Sequence, residues 1–301
     1  MDFSGVFPAL TTPYDPDGSV SLGDLKHNIL HYNKTDLAGF VALGSTGESV
    51  LLTPAEMEGV LITVKENAAK EKKLIAGCGS ESTAETIARV KRAAEIGYHA
   101  ALVKTPYYYK PFYKTEALIA HYKRVADAST IPVLLYSVPQ FTGVALEASE
   151  VAVLSEHPNI AGIKDSSGNV QRLAEMIAST PPSFQILVGS AATVFPSLTI
   201  GARGAILALA CALPEKCTAL YQLHRHGQQE LAREMQNVLV RASKTIVSEL
   251  GIAGVKFVMD QRGYRGGQPR LPLLPLEDWH RKRITAVLAT VEPASVGACS
   301  A

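Results

Sequence analysis

The sequence predicts an α/β fold, a (β/α)8 TIM barrel with a C-terminal helical extension, and three observations carry that expectation. Eight short apolar runs punctuate the first two-thirds of the chain, each followed by a segment of helical period. The runs start about every 28 residues, the spacing of a βα unit. Their apolar character is nearly continuous rather than alternating, which marks strands buried on both faces of a parallel sheet. Eight such units in series favour closure into a barrel. An open doubly wound sheet is the alternative, but it rests on Gly77-x-Gly79 alone, which lacks the third glycine of a dinucleotide-binding turn.

The runs occupy residues 5–13 (GVFPALTTP), 39–48 (GFVALGSTGE), 73–79 (KLIAGCG), 100–106 (AALVKTP), 132–139 (PVLLYSVP), 160–167 (IAGIKDSS), 184–191 (FQILVGSA) and 204–210 (GAILALA). Helix starts are legible between them. Ser21 opens one before Leu22-Gly23-Asp24, Thr53-Pro54-Ala55-Glu56 reads as a capping box with proline at the first helical position, and Ser82-Thr83-Ala84-Glu85 reads as a second box. After about residue 212 the pattern becomes helical without strands. A long helical run covers 213–250, a further helix 254–262, a Pro- and Gly-rich connector 266–275, and a last helix about 276–288. The chain from about Val291 is small and polar and reads as a flexible tail. Residues 1–224 therefore form the expected catalytic barrel and 225–301 the helical region.

Composition narrows the function. Of 301 residues, 47% are hydrophobic and 19% charged, the profile of a packed enzyme core. A net charge of +1 offers no global field for nucleic acid or an anionic membrane surface. No stretch is long and apolar enough to span a bilayer, and the N-terminus lacks the basic segment of a signal peptide. Cys78, Cys211, Cys217 and Cys299 form no CxxC pair and suit neither a zinc site nor a disulfide framework. A cytoplasmic location is expected.

Active sites of such barrels lie at the C-terminal ends of the strands, so what each run ends in decides the chemistry. The second ends in Gly44-Ser45-Thr46-Gly47-Glu48, the fourth in Lys104-Thr105-Pro106-Tyr107-Tyr108-Tyr109, and the fifth in Tyr136-Ser137-Val138-Pro139. The sixth ends in Lys164-Asp165-Ser166-Ser167 and the seventh in Gly189-Ser190. The set is poor in metal ligands and rich in lysine, tyrosine and hydroxyls, so neither metal nor cofactor is expected. His27/His31 and His224-x-His226 fall on helices, where packing or surface histidines are the simpler reading. A lysine in a low-dielectric barrel mouth loses its proton more readily, and the neutral amine can attack a ketone to form an imine. A neighbouring tyrosine, Tyr136, can move the protons, with Thr46 and Tyr108 as relay partners. Ser45 and Thr46 offer amide donors to a carboxylate. On composition and spacing, Lys164 and Lys104 remain equal candidates, either one able to serve instead as an ion-pair partner. The three tyrosines at 107–109 equally suit a subunit contact.

At these positions the chain resembles the dihydrodipicolinate synthase / N-acetylneuraminate lyase family of class I pyruvate-type aldolases. The landmarks occur in order over nearly the whole chain: Gly44-Ser45-Thr46-Gly47-Glu48, Thr105-Pro106-Tyr107-Tyr108, Tyr136-Ser137-Val138-Pro139 with Thr142-Gly143, and Gly162-Ile163-Lys164-Asp165-Ser166. The resemblance implies a lyase in which Lys164 forms the Schiff base and Tyr136 is the acid/base residue. It implies that Ser45 and Thr46 bind the keto-acid carboxylate, with Thr46 or its neighbour in a hydroxyl relay. Tyr108 would complete that relay from an adjacent subunit of a homotetramer, a dimer of dimers. Gly189 and Ile206 would line the pocket, and Ser166 joins them among the substrate-binding residues. It gives Lys104 no role, which favours Lys164.

The pattern departs from the family at Phe141, where the synthases carry an arginine that grips the carboxylate of aspartate semialdehyde. Losing that charged fork costs substrate binding. Together with Tyr136-Ser137, Glu81-Ser82-Thr83 and His157-Pro158-Asn159-Ile160, it is closer in detail to 4-hydroxy-2-oxoglutarate aldolase. Phe141 would then fill space the arginine leaves, and the expected reaction is retro-aldol cleavage to pyruvate and glyoxylate. The alternatives are dihydrodipicolinate synthase, a sugar-acid aldolase, and a non-catalytic barrel that senses a keto acid.

Overall fold

A computed structural model describes residues 1–291. Eight strands form one parallel sheet: β1 (Gly5–Pro8), β2 (Gly39–Ala42), β3 (Lys73–Gly77), β4 (Ala100–Lys104), β5 (Val133–Ser137), β6 (Ile160–Asp165), β7 (Gln185–Val188) and β8 (Gly204–Leu207). Their order is β1-β8-β7-β6-β5-β4-β3-β2. The last seam closes through a parallel bridge between Ala9 and Val41, flanked by Ala38 N–H donating to the Val6 carbonyl at 2.9 Å and Leu10 N–H to the Val41 carbonyl at 2.9 Å. The chain is thus the (β/α)8 barrel its periodicity predicts.

The intervening helices are α1 (Leu22–Tyr32), α2 (Pro54–Asn67), α3 (Thr83–Ile96), α4 (Thr115–Ala128), the single turn α5 (Pro139–Thr142), α6 (Ala148–Ser155), α7 (Val170–Ser179) and α8 (Val194–Thr199). They are followed by α9 (Pro214–Arg225), α10 (Gln229–Ala242), a π-helical segment Ser243–Glu249, α11 (Gly251–Gln261) and α12 (Asp278–Val291). Two apolar layers hold them. Inside the barrel Phe7, Val41, Ile75, Leu102, Leu134 and Ile206 fill the bore, and the opposite strand faces pack against the helical shell.

Several boundaries differ from the sequence expectation for physical reasons. The apolar runs outlast their strands, because residues such as Leu10 and Leu43 stay buried past the strand ends. Thr53 and Glu56 form the reciprocal box, whereas Ser82 only accepts from Glu85 N–H and Ser21 makes no side-chain cap. The run 213–250 is broken at Gly227, whose φ of +74° ends α9, and again by the π-helical turn. The expected tail, with Cys299, falls mainly on residues 292–301, outside the described residues. Among the described residues no helix is long and apolar enough to cross a membrane.

Candidate active site

The strand register sets the site. Lys104 of β4 pairs with Tyr136 of β5, and Tyr136 pairs with Lys164 of β6. Partners in a parallel ladder share a face, so the three side chains form a row at the C-terminal mouth of the barrel. Two residues earlier on β4 and β5, Leu102 and Leu134 point into the bore, which fixes the row as inward-facing. Lys164 is only 4% exposed, and its Nζ lies 4.3 Å from the centroid of the Tyr136 ring. The Tyr136 hydroxyl meets Ser45 Oγ at 3.3 Å. Sequence reasoning gave the relay position to Thr46 or its neighbour. The hydroxyl within hydrogen-bond distance of the Tyr136 phenol is that of Ser45.

That turn is held in an uncommon conformation. Leu43 and Glu48, which bracket it, have positive φ angles of 58° and 54°. Non-glycine residues occupy this region at a cost and persist there only when neighbours enforce it. The enforcers are visible. Thr12 Oγ1 donates to the Gly47 carbonyl at 2.7 Å, and a Cβ on Gly47 would sit 2.9 Å from the Leu10 carbonyl oxygen. Glu48 Oε1 lies 2.7 Å from Lys256 Nζ, with both side chains fully buried. Its other oxygen accepts the Arg270 backbone N–H at 2.8 Å. Lys256 also donates to the carbonyls of Thr12 at 2.8 Å and Gln268 at 2.9 Å. Burial pulls the Lys256 ammonium below its ordinary range while Glu48 opposes the shift. Arg270 grips Glu56 with two hydrogen bonds of 2.6 and 3.0 Å, which hold the Glu56 carboxyl at about 2. Both cations flank the Tyr14 ring, at 4.5 and 4.4 Å. This clamp ties the Ser45 turn to α11 and the connector after it. Sequence reasoning missed it; a lysine inside the otherwise apolar stretch GVKFVM was its one signal.

The remaining candidates divide. Ser166 is buried after β6, and Gly189 passes so close that a Cβ would lie 1.9 Å from Ser166 Oγ. Ile206 is fully buried in the bore. Tyr108 stands apart, 73% exposed and edge-on to Tyr109 at 5.0 Å. Its loop is pinned by Glu81, whose carboxylate accepts the backbone N–H groups of Tyr107 at 3.0 Å and Tyr108 at 2.8 Å. Phe141 corrects an expectation: it is 67% exposed on α5 and fills no pocket. Its neighbour Thr142 is buried, its hydroxyl donating to the Val138 and Val144 carbonyls.

Lys104 is the second lysine of the row. Its Nζ donates to the Gly79 carbonyl at 2.5 Å, and desolvation lowers its pKa to about 8. It shares a narrow cleft with Ser45, Gly79, Leu102 and Tyr136. A cavity of about 480 Å³ lies at the other end of the barrel, lined by Ile177, Phe184, Arg203 and Tyr221. None of the strand-end groups reaches it, so volume does not locate the chemistry here. Among the described residues no group of three or more His, Cys, Asp or Glu side chains is placed to hold a metal.

The profile of the dihydrodipicolinate synthetase family matches residues 2–291. The chain belongs to that family. It is 38% identical over 275 residues to a 4-hydroxy-tetrahydrodipicolinate synthase of an Exiguobacterium species, covering 91% of this chain and 93% of the relative. It is 35% identical to the enzyme of that name from Archaeoglobus fulgidus, covering 96% and 99%. A crystal structure of dihydrodipicolinate synthase from Bacillus anthracis superposes with a TM-score of 0.92 at 29% identity, covering 96% and 99%. The Acinetobacter baumannii synthase, solved in complex with pyruvate, gives 0.91 at 30% identity, covering 96% and 98%. Family membership makes this chain a lyase of the class I pyruvate-aldolase type.

Proposed function

We propose that the protein activates pyruvate as an enamine on Lys164 and joins it to a small aldehyde, the reaction of a 4-hydroxy-tetrahydrodipicolinate synthase with aspartate semialdehyde as partner. The observation that carries this reading is the buried Lys164 amine 4.3 Å from the Tyr136 ring, with Ser45 Oγ at the phenol. The neutral amine adds to the keto carbon, water leaves, and an imine forms. Loss of a methyl proton gives the enamine, whose carbon attacks the aldehyde and whose imine is then hydrolysed. Tyr136 moves each proton and Ser45 relays it. The Ser45–Thr46 turn takes the keto-acid carboxylate, while Ser166, Gly189 and Ile206 shape the wall.

The names of the relatives favour synthesis over the cleavage reaction placed first by sequence. Cleavage of 4-hydroxy-2-oxoglutarate stays as the second reading, favoured by Phe141 at the position where the synthases carry the arginine for aspartate semialdehyde. The exposed Tyr108, Tyr109 and Phe112 mark a surface suited to a second copy of the chain. We assign it to the homotetramer, with Tyr108 entering a neighbour's site, and place the enzyme in the cytoplasm. Pyruvate followed by borohydride should add a reduced three-carbon unit to the peptide bearing Lys164 and to no other. An adduct that persists in Lys164→Ala would refute the reading. Rates of condensation with aspartate semialdehyde and of cleavage of 4-hydroxy-2-oxoglutarate, compared directly, separate the two reactions.

A further inference from the structure

Two lysines besides Lys164 stand near the barrel mouth, Lys256 fully buried and Lys104 half-buried, and their surroundings differ. Lys256 has a carboxylate at 2.7 Å and two carbonyls, so its charge is matched within the fold. Lys104 has none. Among the described residues no carboxylate lies within ion-pair distance of it, and one carbonyl, that of Gly79, uses one of its three donors. The Tyr107 ring is 5.7 Å away. Of the charged groups near it, Arg89 on α3 repels it and Glu81 after β3 attracts it; Cys78 is uncharged when protonated, with burial pushing its thiol up to about 12. A desolvated cation without an anion is costly to a fold, and such positions are maintained where a ligand supplies the missing charge.

Position decides which ligand. Lys104 is the direct ladder neighbour of Tyr136, which is the ladder neighbour of Lys164. Adjacent strands are about 4.8 Å apart, so the two lysines are separated by about two strand spacings across the tyrosine. Both long side chains reach into one mouth, and Lys104 lines the same cleft as Ser45 and Tyr136. Gly79 makes the approach possible: a Cβ there would lie 2.6 Å from the Lys104 backbone nitrogen and 2.8 Å from its Cγ.

We infer that Lys104 is a second cation of the active site and takes a carboxylate of the substrate. This rests on the proposed Schiff-base function and names the missing charge partner of that same site. Two carboxylates could be the one bound, the keto acid's own or that of the aldehyde partner.

The test uses the full chain and three variants, two that remove the charge and Lys104→Arg, which keeps it. Lys104→Met removes the charge and the bond to Gly79, and Lys104→Gln removes the charge while keeping a donor. Borohydride trapping gives the half-saturating pyruvate concentration. Condensation rates with carboxylated aldehydes (aspartate semialdehyde, glyoxylate) and carboxylate-free ones (acetaldehyde, propanal) give a discrimination ratio within each protein, which misfolding of a fraction does not alter. A lost charge-assisted hydrogen bond corresponds to roughly 10- to 100-fold. A rise of that size in half-saturating pyruvate assigns the keto-acid carboxylate; a fall of that size in discrimination assigns the partner's. In both cases Lys104→Arg should retain most of the wild-type value. If neither quantity moves more than about threefold in either charge-removing variant, Lys104 binds no substrate carboxylate and the inference is overturned. Absence of any pyruvate adduct on wild-type Lys164 would instead overturn the Schiff-base reading, so the two failures are distinct.

Discussion

Replacing Lys256 by methionine tests whether the clamp behind the Ser45 turn is a structural necessity. The ammonium is 2.7 Å from Glu48 Oε1, and neither side chain has any solvent exposure. Methionine nearly matches the volume but leaves the Glu48 carboxylate with the Arg270 N–H as its remaining donor, and frees the Thr12 and Gln268 carbonyls. Breaking a buried pair by removing one partner costs about 3–5 kcal/mol, because the surviving charge is uncompensated. Glu48→Gln leaves the Lys256 ammonium without its anion but still bonded to the Thr12 and Gln268 carbonyls, so it should cost less than Lys256→Met, and the double variant should be more stable than Lys256→Met alone. Urea unfolding of the four proteins closes the cycle, with a coupling energy expected at about 1–3 kcal/mol. A cost below about 1 kcal/mol for Lys256→Met, or additive single effects, would show that water or a rearranged neighbour satisfies Glu48 and that the clamp does not hold the turn.

Two further expectations follow from the geometry. Tyr136→Phe keeps the ring beside Lys164 and loses the hydroxyl, so turnover should fall about 10²- to 10⁴-fold with little change in fold stability, checked by steady-state kinetics beside thermal unfolding. His121 is buried with Thr83 Oγ1 at 2.9 Å of Nδ1, and burial lowers its pKa from 6.5 to about 4. The folded state therefore favours the neutral ring. Its contribution is complete above about 6.5, declines as pH falls toward 4, and reaches roughly 3 kcal/mol, a loss that His121→Gln should flatten in urea midpoints measured across that range.

Sequence made the barrel and the central pair legible for one reason. A βα repeat puts chemistry at strand ends, and a strand end can be located wherever an apolar run stops. That rule yields Tyr136 with both Lys104 and Lys164, the family resemblance favours Lys164, and the register shows Tyr136 between the two lysines. Side-chain direction within a turn is not encoded by periodicity, so Ser45 and Thr46 could not be separated. Exposure is not encoded either, which is why Phe141 was expected in a pocket and lies on the surface. The Glu48–Lys256 pair joins distant parts of the chain, and neither residue announces the other by spacing. Lys104 was visible as a strand-end lysine, but only the lack of a carboxylate within ion-pair distance among the described residues distinguishes it from an ordinary ion-pair partner.

The seam of the clamp has a consequence for how this architecture can be divided. Because the turn that carries Ser45 is fastened from behind by a residue of α11 and by the backbone at Arg270, the helical extension is not a detachable appendage. A barrel trimmed after β8, or grafted onto a foreign C-terminal region lacking that lysine, would retain Lys164 and Tyr136 yet lose the alignment of the hydroxyl between them and solvent. Recombination among such barrels is therefore confined to exchanges that carry the glutamate and its distant lysine together.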